Sequence, residues 1–266
     1  MSVGHYENFP VASLLLPTRL RWPVAVIYAF ARSADDFADE GQDAPDVRLA
    51  KLEEYRVELR RIATNVEPQT PLFHDVARVV REHELPLNAF HDLLGAFSQD
   101  VVKSRYASFD EVLAYCRRSA NPVGRLLLHL FKRTNETALS QSDAICTSLQ
   151  LINFWQDVAL DWRKDRVYLP QDEMHSFGVC ETHLAEQRCD VAWRALMQFQ
   201  CDRADELMRR GAPLGHALAG RIGLEIRITV QGGLRILEKL RQVGYDAFRN
   251  RPLLRWHDWP LLLWRA

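Results

Sequence analysis

Asp35 and Asp39 stand four residues apart beside a strongly apolar run, and Asp157 and Asp161 repeat that spacing far along the chain. Residues four apart share a helix face, so each pair aims two carboxylates in one direction. Two such faces opposed across a cavity offer oxygen ligands to Mg²⁺, which takes one or two protein carboxylates and completes its octahedron with water and phosphate oxygens. The implied substrate is phosphorylated. A lone pair of this kind also occurs on ordinary solvated helix faces, so the flanks decide between the two readings. Val24 to Phe30 leads into Ala31-Arg32-Ser33-Ala34-Asp35-Asp36-Phe37-Ala38-Asp39-Glu40, and Asn153-Phe154-Trp155-Gln156-Asp157-Val158-Ala159-Leu160-Asp161 sets its acids among aromatic and aliphatic residues. Burying a charge is costly unless it is paired or metal-bound, and such surroundings favour a site over a solvated face.

The neighbouring polar residues suit the same chemistry. Arg32 lies one turn before the first pair, and Lys164 and Arg166 follow the second. A guanidinium fork binds phosphate oxygens bidentately, while the same spacings also allow ion pairs with the adjacent acids. Both roles are compatible. Asn153, one turn before Asp157, can supply a neutral oxygen ligand or a hydrogen bond that orients the carboxylate. Gln150 is expected to line the site in preference to Gln156.

The elements that must position these groups read as helices throughout, with apolar residues recurring at three and four positions and little strand-like alternation. Helices are expected near 19–40, 46–64, 72–84, 87–104, 109–119, 122–134, 140–163, 182–210 and 215–242, with a short one at the C-terminus. Ser108 with Glu111 makes a capping box, and Pro71, Pro86, Pro122 and Pro213 fall where helices should begin. No Gly/Ser-rich linker, low-complexity tract or repeat divides the chain, so residues 1–266 are read as one all-α domain. With 47% hydrophobic residues and a formal net charge of −1, the chain has material for a core and nothing that calls for nucleic acid.

Five cysteines, at 116, 146, 180, 189 and 201, show no paired zinc spacing, and His175, Cys180, His183 and Cys189 match no familiar metal pattern. A reducing cytoplasm fits. The N-terminus lacks a secretory pattern, and no window approaches the roughly 20 apolar residues that span a bilayer. At the C-terminus, Arg249, Arg251, Arg255 and Arg265 are interleaved with Leu253, Leu254, Trp256, Trp259, Leu261 to Leu263 and Trp264. That mixture suits peripheral contact with the inner face of the membrane, or a terminal segment docked on the bundle.

Ile27-Tyr28-Ala29-Phe30-Ala31-Arg32, Tyr115-Cys116 and the stretch from Asn153 to Arg166-Val167-Tyr168-Leu169-Pro170 carry a resemblance to the squalene/phytoene synthase family of head-to-head isoprenoid synthases. The resemblance spans nearly the whole chain. Within the family, Glu7-Asn8-Phe9-Pro10-Val11-Ala12-Ser13 and the run Ala34 to Gly41 most resemble hydroxysqualene synthases of bacterial hopanoid pathways. The resemblance implies a helical bundle around a deep central cavity, with the two acidic motifs on facing helices at its mouth. It also implies a Mg²⁺ site built from Asp35, Asp39, Asn153, Asp157 and Asp161, with Arg32, Gln150, Lys164, Arg166 and Tyr168 on the substrate. Tyr115 matches a tyrosine that steers cation and proton chemistry in the family, although core packing also accounts for it. Tyr168 either closes the pocket or anchors the next loop.

The implied substrate is a prenyl diphosphate lipid. The implied reaction is Mg²⁺-dependent ionisation of presqualene diphosphate, rearrangement and capture by water, giving hydroxysqualene and diphosphate without a nicotinamide, alongside neighbouring squalene-pathway enzymes. The alternatives are condensation of two prenyl diphosphates to presqualene diphosphate, squalene or phytoene, and a non-catalytic assembly-factor homologue; the four retained aspartates weigh against the latter. A carbocation is attracted to ring faces, which nominates one or two of Phe30, Phe37, Phe154 and Trp155. Two departures bear on the product. Cys116-Arg117-Arg118-Ser119-Ala120-Asn121-Pro122 replaces the usual Val-Ala-Gly element and places the Asn121 amide beside the cavity. Gly232-Gly233 falls where relatives place a tyrosine and is expected to open space or bend the helix. Both suit a bulky skeleton and a site that admits water.

Overall fold

The structure, a computed structural model, describes residues 16–39, 41 and 43–266. Residues 7–13 and Glu40, which carry part of the resemblance, lie outside the described residues. The chain runs through α1 (Thr18–Asp39), α2 (Pro45–Ala63), α3 (Pro71–His83), α4 (Leu87–Val102), α5 (Phe109–Ser119), α6 (Asn121–Leu130) and α7 (Glu136–Arg163). It continues through α8 (Gln171–Ser176), α9 (Glu181–Ala185), α10 (Val191–Gly211), α11 (Leu214–Ala217), α12 (Gly220–Gln242) and, after a 3₁₀ turn at Trp256–Asp258, α13 (Trp259–Arg265). The described residues form no strand; a single parallel bridge joins Arg105 and Val167.

Two apolar cores form because the helices carry their hydrophobic residues at helical spacing. One gathers α1 to α4 and α6 around Phe30, Phe73 and Phe90, and the other gathers α5, α7, α10 and α12 around Trp155 and Trp193. Phe131 and Ile222 pack against both. The 28 residues of α7 make it about 42 Å long at 1.5 Å per residue, and α10, α6 and α12 all lie on it.

Pro71, Pro86, Pro122 and Pro213 do stand at helix starts. Three other expectations are corrected. Ser108 is the N-cap of α5 but makes no side-chain cap; Glu111 instead accepts from the Ala107 N–H and from Lys103, each at 2.8 Å. The helix read over 182–210 is broken, because Gln187 turns left-handed (φ 52°) and Asp190 starts α10 afresh by accepting from the Trp193 N–H at 3.0 Å. The helix read over 215–242 is split at Gly220, whose φ of 63° favours glycine.

Candidate active site

A cavity of about 580 Å³ lies between the two cores, walled by α1, α6, α7 and α12. On α7 the lining positions run along one face from Ser142 through Ile145, Leu149, Gln150 and Asn153 to Asp157, a stripe roughly 22 Å long at the helical rise. On α1 they run from Val24 through Ile27, Tyr28 and Arg32 to Asp35. The α1 stripe begins apolar and both stripes end in a carboxylate, so a largely aliphatic cavity gathers Asp35 and Asp157 at one end, while Glu225 and Thr229 add polar groups from α12.

The acids occupy the last turns of α1 and α7, where backbone carbonyls already make the helix end negative. Burial first, and then the neighbouring carboxylate Asp157, push the Asp161 carboxyl up to about 8. Burial and Asp39 likewise raise Asp35 to about 6. Asp39 behaves oppositely: burial would raise it, but Arg166 and Lys164 outweigh that and hold it below the usual value.

The cations are distributed among these acids. Arg32 lies 3.4 Å from Asp35 and 2.6 Å from Asp36. Lys164 donates to Asp39 at 2.9 Å, and Arg166 donates to the other Asp39 oxygen. Those two bonds tie the end of α1 to the segment after α7. That segment is positioned by Asp165, which turns left-handed (φ 56°), and by Val167 N–H donating to the Ser104 carbonyl at 2.9 Å.

Of the residues nominated from sequence, Arg32, Asp35, Gln150, Asn153 and Asp157 line the cavity together. Asp39, Asp161, Lys164 and Arg166 stand one turn beyond its charged end. Tyr115 lies behind the wall: its ring packs on Tyr106, Phe154 and Tyr168, and its hydroxyl donates to Asp100 at 2.7 Å. Tyr168 stacks on Phe154 with ring centroids 3.7 Å apart, inside the run that anchors the loop.

The nominated rings Phe30, Phe37, Phe154 and Trp155 all belong to the cores; the aromatic wall is Tyr28, Phe97 and Phe131. The Asn121 amide is taken by Thr147, which donates to it at 2.9 Å, so Ser119 and Ala120 present that segment to the cavity. Gly233 opens no space. A Cβ there would come within 2.5 Å of the Met208 methyl and 3.2 Å of Leu149, so the glycine lets α12 press onto α10 and α7.

Two residues escaped the sequence reading. Arg251, grouped there with the arginines of a segment read either as meeting a membrane or as docked on the bundle, turns into the cavity and grips both oxygens of Asp157, through Nε and through Nη2 at 3.0 Å. No local spacing signals a contact across so much chain. Asp100, near the end of α4, is a buried carboxyl raised to about 7, by burial above all, against the opposing pull of the Tyr115 hydroxyl and Arg166.

The donor set fits a divalent cation of magnesium type. The ligand groups are all oxygens, and burial with a neighbouring like charge holds Asp35 and Asp161 above the usual carboxylate value, a cost that a bound cation would relieve. Among the described residues no three acidic, histidine or cysteine side chains are gathered tightly enough to hold an ion by themselves, which suits an ion that draws most of its shell from water and phosphate. Asp35, Asp39, Asn153, Asp157 and Asp161 would hold it. The five cysteines are free thiols, and no described helix is long and apolar enough to cross a membrane.

Comparison with known proteins agrees with this architecture. The chain is 36% identical over 237 residues to the hydroxysqualene synthase of Rhodopseudomonas palustris, covering 88% of this chain and 80% of that protein. It is 34% identical to the hydroxysqualene synthase of Zymomonas mobilis, covering 85% and 76%. The crystal structure of squalene synthase HpnC from Alicyclobacillus acidocaldarius superposes with a TM-score of 0.84 at 34% identity, covering 91% of this chain and 90% of that one. The squalene/phytoene synthase family matches residues 3–259, its relatives are isoprenoid enzymes, and the family uses divalent metals. With that match added to the helical cavity and its two acidic helix ends, the chain belongs to the squalene/phytoene synthase family.

Proposed function

We propose that the protein is a hydroxysqualene synthase: it ionises presqualene diphosphate, lets the cyclopropylcarbinyl cation rearrange, and captures it with water as hydroxysqualene and diphosphate. The observation that carries this reading is the cavity itself, largely aliphatic and ending at Asp35, Asn153 and Asp157 with Arg32 and Arg251 beside them. The aliphatic lining suits a prenyl chain, and the charged end suits a diphosphate.

Magnesium bound there would supply Lewis-acid stabilisation of the departing diphosphate. The chain's own residues do the rest. Arg32 and Arg251 donate to phosphate oxygens, and a guanidinium on a developing negative charge is worth more as the site dries. Lys164 and Arg166 hold Asp39 ionised and so keep the end of α1 in register with the end of α7. The wall of Val24, Ile27, Val123, Leu127, Leu149 and Ile226 excludes bulk water, so the cation survives long enough to rearrange. In the final step a water oxygen bonds to the cationic carbon and loses one proton, with diphosphate the nearest strong base. The oxidation level does not change, and no reductant is needed.

The lipid character of substrate and product places the enzyme beside a membrane, and the same reading makes that contact peripheral. A second reading, condensation of two prenyl diphosphates, draws support from the likeness to a squalene synthase. The deciding experiment is incubation of the purified chain in detergent with Mg²⁺ and presqualene diphosphate, without nicotinamide, and mass spectrometry of the extract. Hydroxysqualene is the expected product. Unchanged presqualene diphosphate, with turnover of farnesyl or geranylgeranyl diphosphate, would establish the condensing reaction; no turnover of any of the three would point to a non-catalytic homologue.

A further inference from the structure

Large exposed apolar side chains are scattered over the described surface except at the C-terminus, where four fall within nine positions. Trp256 is 84% exposed, Trp264 82%, Leu263 55% and Trp259 39%. Elsewhere Trp155 and Trp193 are wholly buried, Trp162 is half-buried, and Trp22, at 36% exposed, is covered by Arg78 at 4.0 Å, so none stands as open as Trp256 and Trp264. Along α13, Leu262 faces the bundle while Trp259, Pro260, Leu263 and Trp264 face outward.

This exposure is built into the fold. Asp258 is buried and accepts from Lys239 at 2.5 Å, from Arg235 at 2.9 Å and from the Arg255 N–H at 2.8 Å. Lys239 also donates to the Leu253 carbonyl at 2.7 Å, and Arg265 to Glu238 at 2.6 Å. These bonds fasten the whole segment to α12 and fix the rings pointing away from it. They also use up the local acids: Asp258, Glu238 and Asp246 are each paired within the fold. The Arg255 side chain is exposed between the rings and forms no ion pair among the described residues, so its charge is left uncompensated beside them.

We propose that the segment from Arg255 to Trp264 is a docking platform for an anionic lipid bilayer, with Trp256, Trp259 and Trp264 at headgroup depth and Arg255 toward lipid phosphates. Tryptophan joins an apolar body to a polar N–H, the combination that settles at a membrane interface, and a nearby arginine adds attraction to anionic lipid. A second copy of the chain is a poor occupant. Stable dimers bury about 800 Å² on each partner, and a seven-residue helix is only about 10 Å long. The platform also stands close to the cavity. Arg251 lines the charged end, and five residues of chain reach at most about 18 Å, so Trp256 lies within that distance of it. A lipid diphosphate drawn from the bilayer would have a short way to travel; this last step rests on the proposed function, whereas the docking does not.

The test is co-sedimentation of the full chain, without substrate, with vesicles of equimolar dioleoylphosphatidylcholine and dioleoylphosphatidylglycerol, and with phosphatidylcholine vesicles alone. The wild type should pellet with the anionic vesicles and show a blue shift in tryptophan emission. The W256A/W264A variant should bind at least about tenfold more weakly with an unchanged melting temperature, because both rings stand in solvent. R255Q should weaken binding to anionic vesicles and leave binding to neutral ones unaltered. Failure of the wild type to bind anionic vesicles, or equal binding by W256A/W264A, would overturn the proposal. So would a concentration-dependent dimer in sedimentation velocity that the same substitutions abolish, which would assign the face to a second copy. Because the assay contains no substrate, its failure leaves the reading of the cavity intact, and failure of the presqualene diphosphate experiment leaves vesicle binding intact.

Discussion

Arg251 grips both carboxylate oxygens of Asp157, so an arginine from beyond the last long helix neutralises part of the second acidic pair. The fork occupies the carboxylate that a metal ion would use, and entry of the ion would free the guanidinium for the diphosphate. Arg251→Gln should therefore lower stability by roughly 2 kcal/mol in EDTA, a partly exposed pair being worth less than a buried one. In Mg²⁺ the loss should shrink, because the ion replaces the missing charge. The value of kcat/KM for presqualene diphosphate should fall by about a hundredfold or more, as expected for a lost fork on phosphate. Thermal melts with and without Mg²⁺ check the first part; equal losses in both would mean that the arginine does not act as counter-ion.

The acids at the helix ends predict a pH dependence with a definite sign. Asp161 is raised to about 8 and Asp35 to about 6, from ordinary values of 3.8. Between about pH 4 and pH 8 the folded chain keeps protons that the unfolded chain has released, so stability falls as pH rises and reaches its floor near pH 8. Asp39 has the opposite sign, but its lowered value confines its effect to pH below the usual carboxylate range. The melting temperature in EDTA should thus drop between pH 5 and pH 8, and Asp161→Asn should flatten the drop. Stabilisation by Mg²⁺ should grow over the same interval, because the ion needs ionised carboxylates. A melting temperature that rises with pH in EDTA, or a slope that Asp161→Asn leaves unchanged, would contradict the assignment.

How much of this was legible in the sequence depended on the range of the interaction. The two acidic pairs and their helices were legible because a four-residue spacing and an apolar flank are local facts, and Arg32 and Asn153 followed from the same helical geometry. The return of Arg251 onto Asp157 was hidden, since packing of α12 and the segment after it decides it, and no local pattern does. Aromatic residues misled for a related reason. Phe30 and Phe154 share helices with the acids, yet the faces that carry them turn into the cores, and sequence spacing cannot tell a core face from a cavity face when both are apolar. The break after α9 was equally silent, because Gln187 adopts a left-handed conformation with neither glycine nor proline to mark it.

Asp100 and Tyr115 form a buried pair that can be tested by itself. The hydroxyl donates to Asp100 Oδ2 at 2.7 Å, while Oδ1 is buried without a hydrogen-bond partner among the described residues. Tyr115→Phe leaves a buried carboxyl with less support and should cost about 1–3 kcal/mol. Asp100→Leu orphans the phenol and should cost a similar amount. In the double variant neither group is orphaned, so the combined loss should be smaller than the sum, with a coupling of about 1–2 kcal/mol in a double-mutant cycle. Additive losses in denaturant titrations would show that the bond contributes nothing.

Gly233→Ala separates close packing from cavity space. Its new methyl would meet the Met208 end at 2.5 Å and the side chains of Leu149 and Ile152 at 3.2 and 3.3 Å. Because a methionine terminus can move, the expected cost is about 1–3 kcal/mol. The product should be unchanged, since neither Gly232 nor Gly233 lines the cavity. A switch in product without loss of stability would restore the space-opening role.

Ser119 is the stronger candidate for a role in product choice, because it lines the cavity and its hydroxyl is buried without a hydrogen-bond partner among the described residues. An unpartnered buried hydroxyl is unfavourable by about 1–3 kcal/mol, and rotation about its Cα–Cβ bond would offer it a partner in any water that enters the cavity. It stands in the segment read above as replacing a Val-Ala-Gly element, so Ser119→Val, which puts a methyl in place of the hydroxyl and adds a second methyl on Cβ, moves toward that pattern. The variant should be as stable as the wild type or more so, since it removes the orphan. If the hydroxyl helps to hold the attacking water, the valine site should release more of the cation as hydrocarbon, by proton loss, at the expense of hydroxysqualene. Chromatography of the products from presqualene diphosphate reads the ratio directly. An unchanged ratio in a variant that turns over normally would remove Ser119 from the water-capture step and return the choice to Ser142, Gln150, Asn153 and Thr229, the other neutral hydrogen-bonding side chains on the α7 and α12 walls.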